Sequence, residues 1–281
     1  MPKKESYVAR ADAAVALAVA NTNSPFNIEV RFLGGLTPTQ QNAFKAAADR
    51  WTKVIVGDLP PMLVDGELVD DILILAQGAD IDGPGKILGM AGPRVLRPAS
   101  AGAAAFLPVK GEMTFDTADL AQMEANGTLN DVIAHEMGHV LGIGTVWTRK
   151  GLLKKAGTSN PTFAGAKAEK EFGVLKGSGP TAIPVENTGG VGTRDSHWRE
   201  SVFGKELMTG FVGAAGNPLS RMTVASLADL GYVVDMNAAE AYSLPNHLMM
   251  AMDAVLATPI NEGIVLPIIP TVGEDENLQQ Q

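Results

Sequence analysis

The chain has 281 residues, and 46% of them are hydrophobic, which is enough to bury a substantial core in one large domain or two lobes. A formal net charge of −9 without any basic, aromatic-rich stretch excludes the usual features of nucleic-acid binding. No apolar run reaches the length of a membrane span, and the lack of cysteine excludes disulfides and thiolate metal ligands.

The first 25 residues are predicted to form a leader. Basic residues precede an alanine-rich run at 13–20, and this order is the outline of a signal peptide cleaved after Ala20. Acidic Glu5 and Asp12 and the weak hydrophobicity of the run argue against cleavage. The alternative is a disordered or weakly helical leader.

Residues 26–76 carry the pattern of a strand, a helix and a second strand. Apolar and polar residues alternate over 26–32, which is typical of a strand with one buried face. Thr37 followed by Pro38 and Gln40 predicts a capped helix start. The continuous apolar run at 71–76 indicates a strand buried on both faces.

Residues 78–93 are rich in glycine and are predicted to form a structured loop. Its two aspartates, Asp80 and Asp82, either make turns or bind calcium, although no EF-hand pattern surrounds them. The small apolar stretch at 100–108 is predicted to be an edge strand bordering a cleft, or an ordinary linker.

The most informative stretch is His-Glu-Met-Gly-His at residues 135–139. Two histidines four residues apart lie on one face of a helix, so that His135 and His139 can hold one zinc ion. Glu136 can then take a proton from a water molecule at the open zinc position. An accidental pattern is the alternative, but the surrounding helix is apolar, and buried histidines and a buried carboxylate there need partners. Thr128, with Asp131 three residues later, is predicted to cap this helix.

A catalytic zinc needs a third protein ligand. Gly142 is placed to end the helix in a sharp turn, but position 145, where the compact metzincin pattern has histidine, is Thr. His197 and His247 remain as candidates. His197 is followed by Trp, and Met208 follows later in a Glu-Leu-Met sequence.

In this ordered set of motifs, over roughly residues 26–235, the chain resembles the leishmanolysin-like metzincins. In that family an insertion separates the helix glycine from a third histidine, which is followed by Trp and by a Glu-Leu-Met turn. The resemblance implies a zinc metalloendopeptidase with ligands His135, His139 and His197 and with Glu136 as general base. Met208 would form the apolar floor beneath the imidazoles. Position 210 is Gly, so the tyrosine that astacin-type metzincins carry there is missing.

The implied fold is α+β. An upper lobe would contain a mixed twisted sheet and two long helices, a lower lobe would be mostly irregular or helical, and zinc would lie in the cleft between them. We expect an N-terminal catalytic lobe at 26–144, a C-terminal catalytic lobe at 145–245 and an extension with an acidic polar tail at 246–281. The basic insertion at 145–194, which Trp147 and Phe163 are predicted to anchor, is either a flap over the cleft or a solvated loop.

Three functions remain open from the sequence. The first is the zinc endopeptidase acting on protein or peptide substrates, and the second is a non-catalytic, zinc-containing module that binds peptides or proteins. The third, hydrolysis of a non-peptide amide, would use the same site. The absence of cysteine favours a microbial relative over a protozoan surface protease, and the resemblance favours an extracellular location. The sequence does not predict the oligomeric state.

Overall fold

The computed structural model describes residues 5–210, 215–246 and 265–279, which form an α+β fold around one large mixed sheet. In chain order the strands are β1 (Ser6–Arg10), β2 (Asn27–Gly34), β3 (Met62–Val64), β4 (Glu67–Val69), β5 (Ile72–Ala79), β6 (Gly89–Leu96), β7 (Pro108–Asp116), β8 (Leu153–Lys154), β9 (Thr162–Phe163), β10 (Ile183–Pro184), β11 (Val265–Pro267) and β12 (Thr271–Val272). The helices are α1 (Ala13–Ala20), α2 (Pro38–Val54), α3 (Thr117–Asn126), α4 (Leu129–Val140), α5 (Ala166–Lys176), α6 (Glu200–Phe203) and α7 (Arg221–Leu230).

The main sheet has the strand order β1-β2-β5-β7-β6-β11, and β12 also pairs with β6. Strands β2, β5 and β7 are parallel to one another, whereas β1 is antiparallel to β2 and β6 is antiparallel to β7. Strands β11 and β12 run parallel to β6 along its outer edge. Helices α2 and α4 pack against each other on this sheet, α2 against β1 and β2 and α4 against β6 and β7.

The start of α2 confirms the predicted cap. The Thr37 hydroxyl accepts a hydrogen bond from the Gln40 amide, and the Gln40 side chain accepts one from the Thr37 amide. The helix buries Phe44 and Trp51, and the Trp51 indole donates to the Ala134 carbonyl of α4 at 2.9 Å. The interior of the fold therefore fixes the position of α4 by both apolar packing and a hydrogen bond.

Where the structure describes the predicted leader, it is ordered rather than disordered, and residues 13–20 are helical. Ser6–Arg10 forms an edge strand that pairs with β2. The Asp12 side chain caps α1 by accepting from the Ala14 and Val15 amides, and Ala16 of that helix is fully buried. The acidic residue that argued against a signal peptide is thus the cap of a helix.

Two expectations for residues 78–108 need correction. The predicted loop at 78–93 is shorter than expected, because β5 continues to Ala79 and β6 begins at Gly89. The stretch at 100–108 is not a strand at the edge of a cleft. Ala99–Ala104 forms a 3₁₀ helix, and Pro108 begins β7, which lies inside the sheet between β5 and β6.

The part of the chain after α4 contains little regular structure. The insertion forms the small three-stranded sheet β10-β9-β8 and the helix α5, which packs against α7. As predicted, Trp147 and Phe163 anchor it: both are fully buried, and their rings lie 5.1 Å apart. Trp147 also stacks on Trp198 at 4.6 Å. Among the described residues, no helix is both long and apolar enough to cross a membrane.

Candidate metal centre

Helix α4 carries His135, Glu136 and His139, and every residue from Asp131 to Val140 is buried. The predicted turn at Gly142 is present, since Gly142 has a φ of 109° and Val146 leaves little room for a side chain there. The predicted cap is wrong: Thr128 makes no capping hydrogen bond, and its hydroxyl donates to Asn126 instead.

A close approach of two backbone segments brings the third histidine to α4. Gly144 has a φ of 75°, and a Cβ atom on it would lie only 2.1 Å from the Ser196 carbonyl oxygen. Only glycine fits this contact. The chain leaving α4 therefore passes directly against Ser196, and the next residue is His197.

The Nε2 atoms of the three histidines converge on one point. The distance from His135 Nε2 to each of His139 Nε2 and His197 Nε2 is 3.0 Å, and the remaining pair is separated by 2.9 Å. Three nitrogens bound tetrahedrally to one zinc ion at about 2.0–2.1 Å would be separated by roughly 3.3 Å, close to this spacing.

The opposite nitrogen of each ring lies beside a backbone carbonyl oxygen. His135 Nδ1 lies 2.6 Å from Leu207 O, His139 Nδ1 lies 2.8 Å from Ile143 O, and His197 Nδ1 lies 2.9 Å from Thr193 O. Because a carbonyl can only accept, each Nδ1 carries the proton and each Nε2 presents a lone pair. Three convergent lone pairs repel one another unless a cation lies among them.

Burial keeps the three imidazoles neutral. It lowers the pKa of His135 to about 3 and that of His139 to about 4, and it holds the pKa of His197 well below its ordinary value. Neutral imidazole is the form that binds zinc. The donor set therefore fits a zinc ion in both geometry and protonation.

Glu136 lies beside this cluster. The residue is 5% exposed, its Oε1 is 4.0 Å from His135 Nε2, and its buried Oε2 accepts no hydrogen bond from the described residues. Burial raises its pKa to about 8, and a zinc ion held by the three histidines would oppose this shift, because a nearby cation favours the ionised carboxylate. A buried carboxylate oxygen without a donor, next to a metal site, is suited to accept a proton from a water molecule or substrate.

Met208 lies directly under α4. A Cβ atom on Gly138 would be 2.7 Å from Met208 Sδ, so the absence of a side chain at Gly138 lets the thioether pack against the helix between the two histidines. The Met208 carbonyl accepts from the Trp198 amide at 3.0 Å. The methionine turn is therefore linked to both sides of the histidine cluster.

Glu206, which the sequence analysis treated only as part of a signature, organises this turn. One carboxylate oxygen accepts from the Met208 amide at 2.6 Å, and the other accepts from the Ser220 hydroxyl at 2.7 Å and from Thr223. The Thr223 hydroxyl in turn accepts from the Trp198 indole at 2.8 Å. One buried carboxylate thus connects the turn under the histidines to the residue after His197. The signal was an acidic residue within a buried, otherwise apolar Glu-Leu-Met sequence.

Glu186 performs a similar function for the loop before His197. Its carboxylate accepts from the Asn187 and Thr188 amides, the Thr188 hydroxyl and the Glu200 amide. Its own amide donates to the His197 carbonyl at 2.8 Å. Burial alone would raise the pKa of Glu186, but these hydrogen bonds outweigh it and hold the pKa below its ordinary value.

Asp131, predicted to help cap α4, joins that helix to a distant segment instead. Its carboxylate accepts from the Gly216 amide at 2.6 Å and the Asn217 side chain at 3.2 Å, and Arg50 lies 3.4 Å away. Arg50 also forms an ion pair with Glu240 at 2.7 Å. The sequence could not reveal these contacts because their members are far apart in the chain.

One further group of carboxylates in the described residues is close enough to hold an ion: Asp58, Asp70 and Asp71. Asn27 donates to both Asp70 and Asp71, so this group has a structural use.

The predicted calcium site near Asp80 and Asp82 stays a prediction. In this loop the backbone amides of residues 81–83 donate hydrogen bonds to the Asp116 carboxylate. His247 lies outside the described residues.

A comparison with protein families matches residues 104–253, just over half of the chain, to the leishmanolysin peptidase family. The chain belongs to the leishmanolysin family. The match includes α4, the insertion, His197 and the methionine turn. The comparison with curated proteins gives no match.

The leishmanolysin family consists of zinc metalloendopeptidases, so membership makes this chain a hydrolase that acts on peptide bonds. The predicted family and the α+β fold class are confirmed, and the three-histidine cluster agrees with the zinc dependence of the family. The chain contains no cysteine, so its fold is stabilised without disulfides.

Proposed function

We propose that this protein hydrolyses peptide bonds in proteins with one zinc ion held by His135, His139 and His197, and with Glu136 as general base. The convergence of the three Nε2 atoms at 2.9–3.0 Å, each ring fixed through its Nδ1, is the observation that carries the proposal. Three protein ligands leave a fourth position for water and substrate, as in catalytic rather than structural zinc sites.

When bound, zinc supplies Lewis acidity that polarises the scissile carbonyl and makes water more acidic. Glu136 accepts the proton of the attacking water through its unpaired Oε2. It then delivers this proton to the nitrogen of the departing amine, so the peptide bond breaks without releasing a strongly basic anion. Burial of the carboxylate keeps bulk water from competing for this position.

The neighbouring residues position the ligands. The carbonyls of Leu207, Ile143 and Thr193 fix the tautomer and direction of the three imidazoles. Met208 supports α4 from below and does not need to bind the metal. Since position 210 is Gly, no phenol at that position assists the carbonyl oxygen.

The proposal extends to domain organisation and location. The lobe at 26–144 would provide Glu136 and two ligands, and the lobe at 145–245 would provide the third ligand and the methionine turn. The segment 246–281 would follow the second lobe in sequence, and where the structure describes it, it returns to the first lobe and adds β11 and β12 to the main sheet. An extracellular location follows from the resemblance alone.

The first test is the metal content of the purified wild type, His197→Ala and the matched control His247→Ala. We expect one zinc per chain in the wild type and in His247→Ala, and weakened or absent zinc in His197→Ala. Zinc that survives His197→Ala but is lost from His247→Ala would identify a different third ligand.

The second test is casein cleavage by Glu136→Ala. We expect about 10²–10⁴-fold slower cleavage with zinc still bound, because only the proton acceptor is removed. Full activity in this variant would contradict the mechanism. If the wild type holds zinc tightly and binds casein without cleaving it, the chain is a binding module.

A further inference from the structure

The outer edge of β6 is covered by the C-terminal part of the chain. Val265–Pro267 pairs in parallel with Gly89–Ala91, and Thr271–Val272 pairs with Val95–Leu96. The Thr271 hydroxyl also donates to the Arg94 carbonyl at 3.2 Å. An edge that would otherwise offer free backbone donors and acceptors is therefore occupied by the chain itself.

This edge is at the same end of the strand order as the histidine cluster. Helix α4 packs against β6 and β7, whereas α2 packs against β1 and β2 at the other end of the strand order. Pro93 of β6 pairs with Gly111 of β7, and a Cβ atom on Gly111 would lie 2.3 Å from Val140, the residue after His139. The middle of β6 is thus one strand away from the metal-binding end of α4.

Extended peptides commonly bind proteins by adding a strand to a sheet edge, and the outer edge of β6 is the edge nearest the histidine cluster. We infer that residues 265–272 compete with an extended peptide substrate by occupying this edge themselves. The inference rests on the proposed function, since it concerns access to the same site. It assigns the C-terminal segment the role of an internal competitor.

The pairing is suited to reversible release. Pro267 and Pro270 lack amide hydrogens, and so does Pro93 on the facing strand, so the ladder is interrupted where the two segments meet. Beyond this point the chain is held separately: the Gly273 amide donates to the Leu96 carbonyl at 2.8 Å, and the Gln279 amide donates to the Pro61 carbonyl at 2.9 Å. A segment tethered in this way stays at a high effective concentration near the edge after it detaches.

Ile268 is the apolar anchor of this segment. It is 8% exposed, and its backbone and Cβ cover Gly92, where an added Cβ would lie 3.3 Å from Ile268 Cβ. Its neighbour Ile269 is 91% exposed. The two adjacent isoleucines therefore provide a matched pair of sites, one essential for docking and one indifferent to it.

The test compares Ile268→Asp with Ile269→Asp in the full chain, using an extended fluorogenic peptide. We expect Ile268→Asp to raise kcat/KM by about tenfold or more through a lower KM, because a buried isoleucine contributes at least that factor to docking. Its kcat should be unchanged, since saturating substrate displaces the segment in the wild type too. Ile269→Asp should match the wild type.

Equilibrium binding of the same peptide, measured by fluorescence anisotropy with Glu136→Ala in each background, separates this inference from the proposed function. Tighter binding to the Ile268→Asp background supports the competition even if no variant cleaves peptide, in which case only the proposed hydrolysis fails. Equal binding and equal KM in all backgrounds would overturn the inference. If Ile268→Asp does not fold, Ile268→Ala should give a smaller change in the same direction, and no change would be decisive against docking.

Discussion

Two regions of the molecule hold the histidine cluster by different means. His135 and His139 lie on a helix that packs into an apolar interior, where Trp51 and Val140 are fully buried. His197 lies on irregular backbone between short elements, and the neighbouring segments are held by the buried carboxylates Glu186 and Glu206. One half of the site is positioned by packing and the other by hydrogen bonds to anions.

The difference follows from backbone geometry. A helix such as α4 satisfies its amides internally, so its surroundings can be apolar. A loop leaves buried amides without partners, and a carboxylate can accept several at once. Glu186 alone accepts from three backbone amides near His197. Substitutions in the carboxylate-held region should therefore mainly lower zinc affinity, whereas substitutions in the apolar region should mainly lower the free energy of unfolding.

The largest effect is expected from Glu206→Ala. It would leave the Met208 amide and the Ser220 and Thr223 groups buried without an acceptor, at a cost of about 3 kcal/mol or more. Glu206→Gln keeps the shape but turns an amide donor toward one of these donors, so we expect zinc affinity to fall about 10–100-fold. Chelator competition measures this fall.

The control for Glu206→Gln is Glu171→Gln. Glu171 forms a surface ion pair with Arg221 at 3.0 Å, and such pairs contribute little. Equal zinc affinities in the two variants would show that the Glu206 network does not position the ligands.

Ile74→Ala tests the apolar region. Ile74 is fully buried in the central strand β5, and its truncation should lower the free energy of unfolding by about 2–5 kcal/mol. Zinc affinity of the folded protein should change little, because no carbonyl or carboxylate near the histidines is disturbed. Denaturant unfolding and chelator competition on the same sample give both quantities. A loss of zinc affinity as large as that of Glu206→Gln would contradict the proposed division.

Acid should weaken the carboxylate-held region through Glu186. Its pKa is lower in the folded than in the unfolded protein, so its stabilisation is fully present above the unfolded value of about 4.3 and is lost as the pH falls through the lower folded value. In Glu186→Gln, stability measured between pH 6 and the acid transition should depend less on pH than in the wild type. Parallel curves for the two proteins would exclude this contribution.

The smallest effect is expected from Thr37→Ala at the start of α2. Loss of the Thr37 hydroxyl should cost about 1 kcal/mol, because the Gln40 amide loses its acceptor while the amide at position 37 can still donate to the Gln40 side chain. Thr52→Ala, on the same helix, leaves the box intact and serves as a comparison. Thermal unfolding measures this loss of stability, and an unchanged zinc content would confirm that the loss of the cap does not affect the histidine cluster.

The sequence predicted best what depends on local pattern. The strand at β2, the cap at Thr37 and the helix carrying His135 all follow from periodicity and capping residues within a short window. His197 was found because a resemblance linked it to Trp198 and Met208. Spacing alone did not single it out from His247.

The remaining errors have a common physical origin in contacts between distant segments. Nothing in residues 6–10 shows that they pair with β2, and nothing in the polar C-terminal sequence shows that Thr271–Val272 pairs with β6. Thr128 and Asp131 fit a capping pattern, but Asp131 gains more from the Gly216 and Asn217 amides. Long-range hydrogen bonding overrode the local preference in each case.

The stacking of Trp147 on Trp198 gives the site an optical signature. The indoles lie 4.6 Å apart with planes inclined by 28°, and Trp198 directly follows the third histidine. Rings this close couple their electronic transitions, so the folded protein should show an exciton couplet in circular dichroism. Trp51, the only other tryptophan, is buried against α4 and should contribute ordinary fluorescence. The protein therefore carries separate intrinsic chromophores for the carboxylate-held and apolar regions, and the loss of one can be followed without the other.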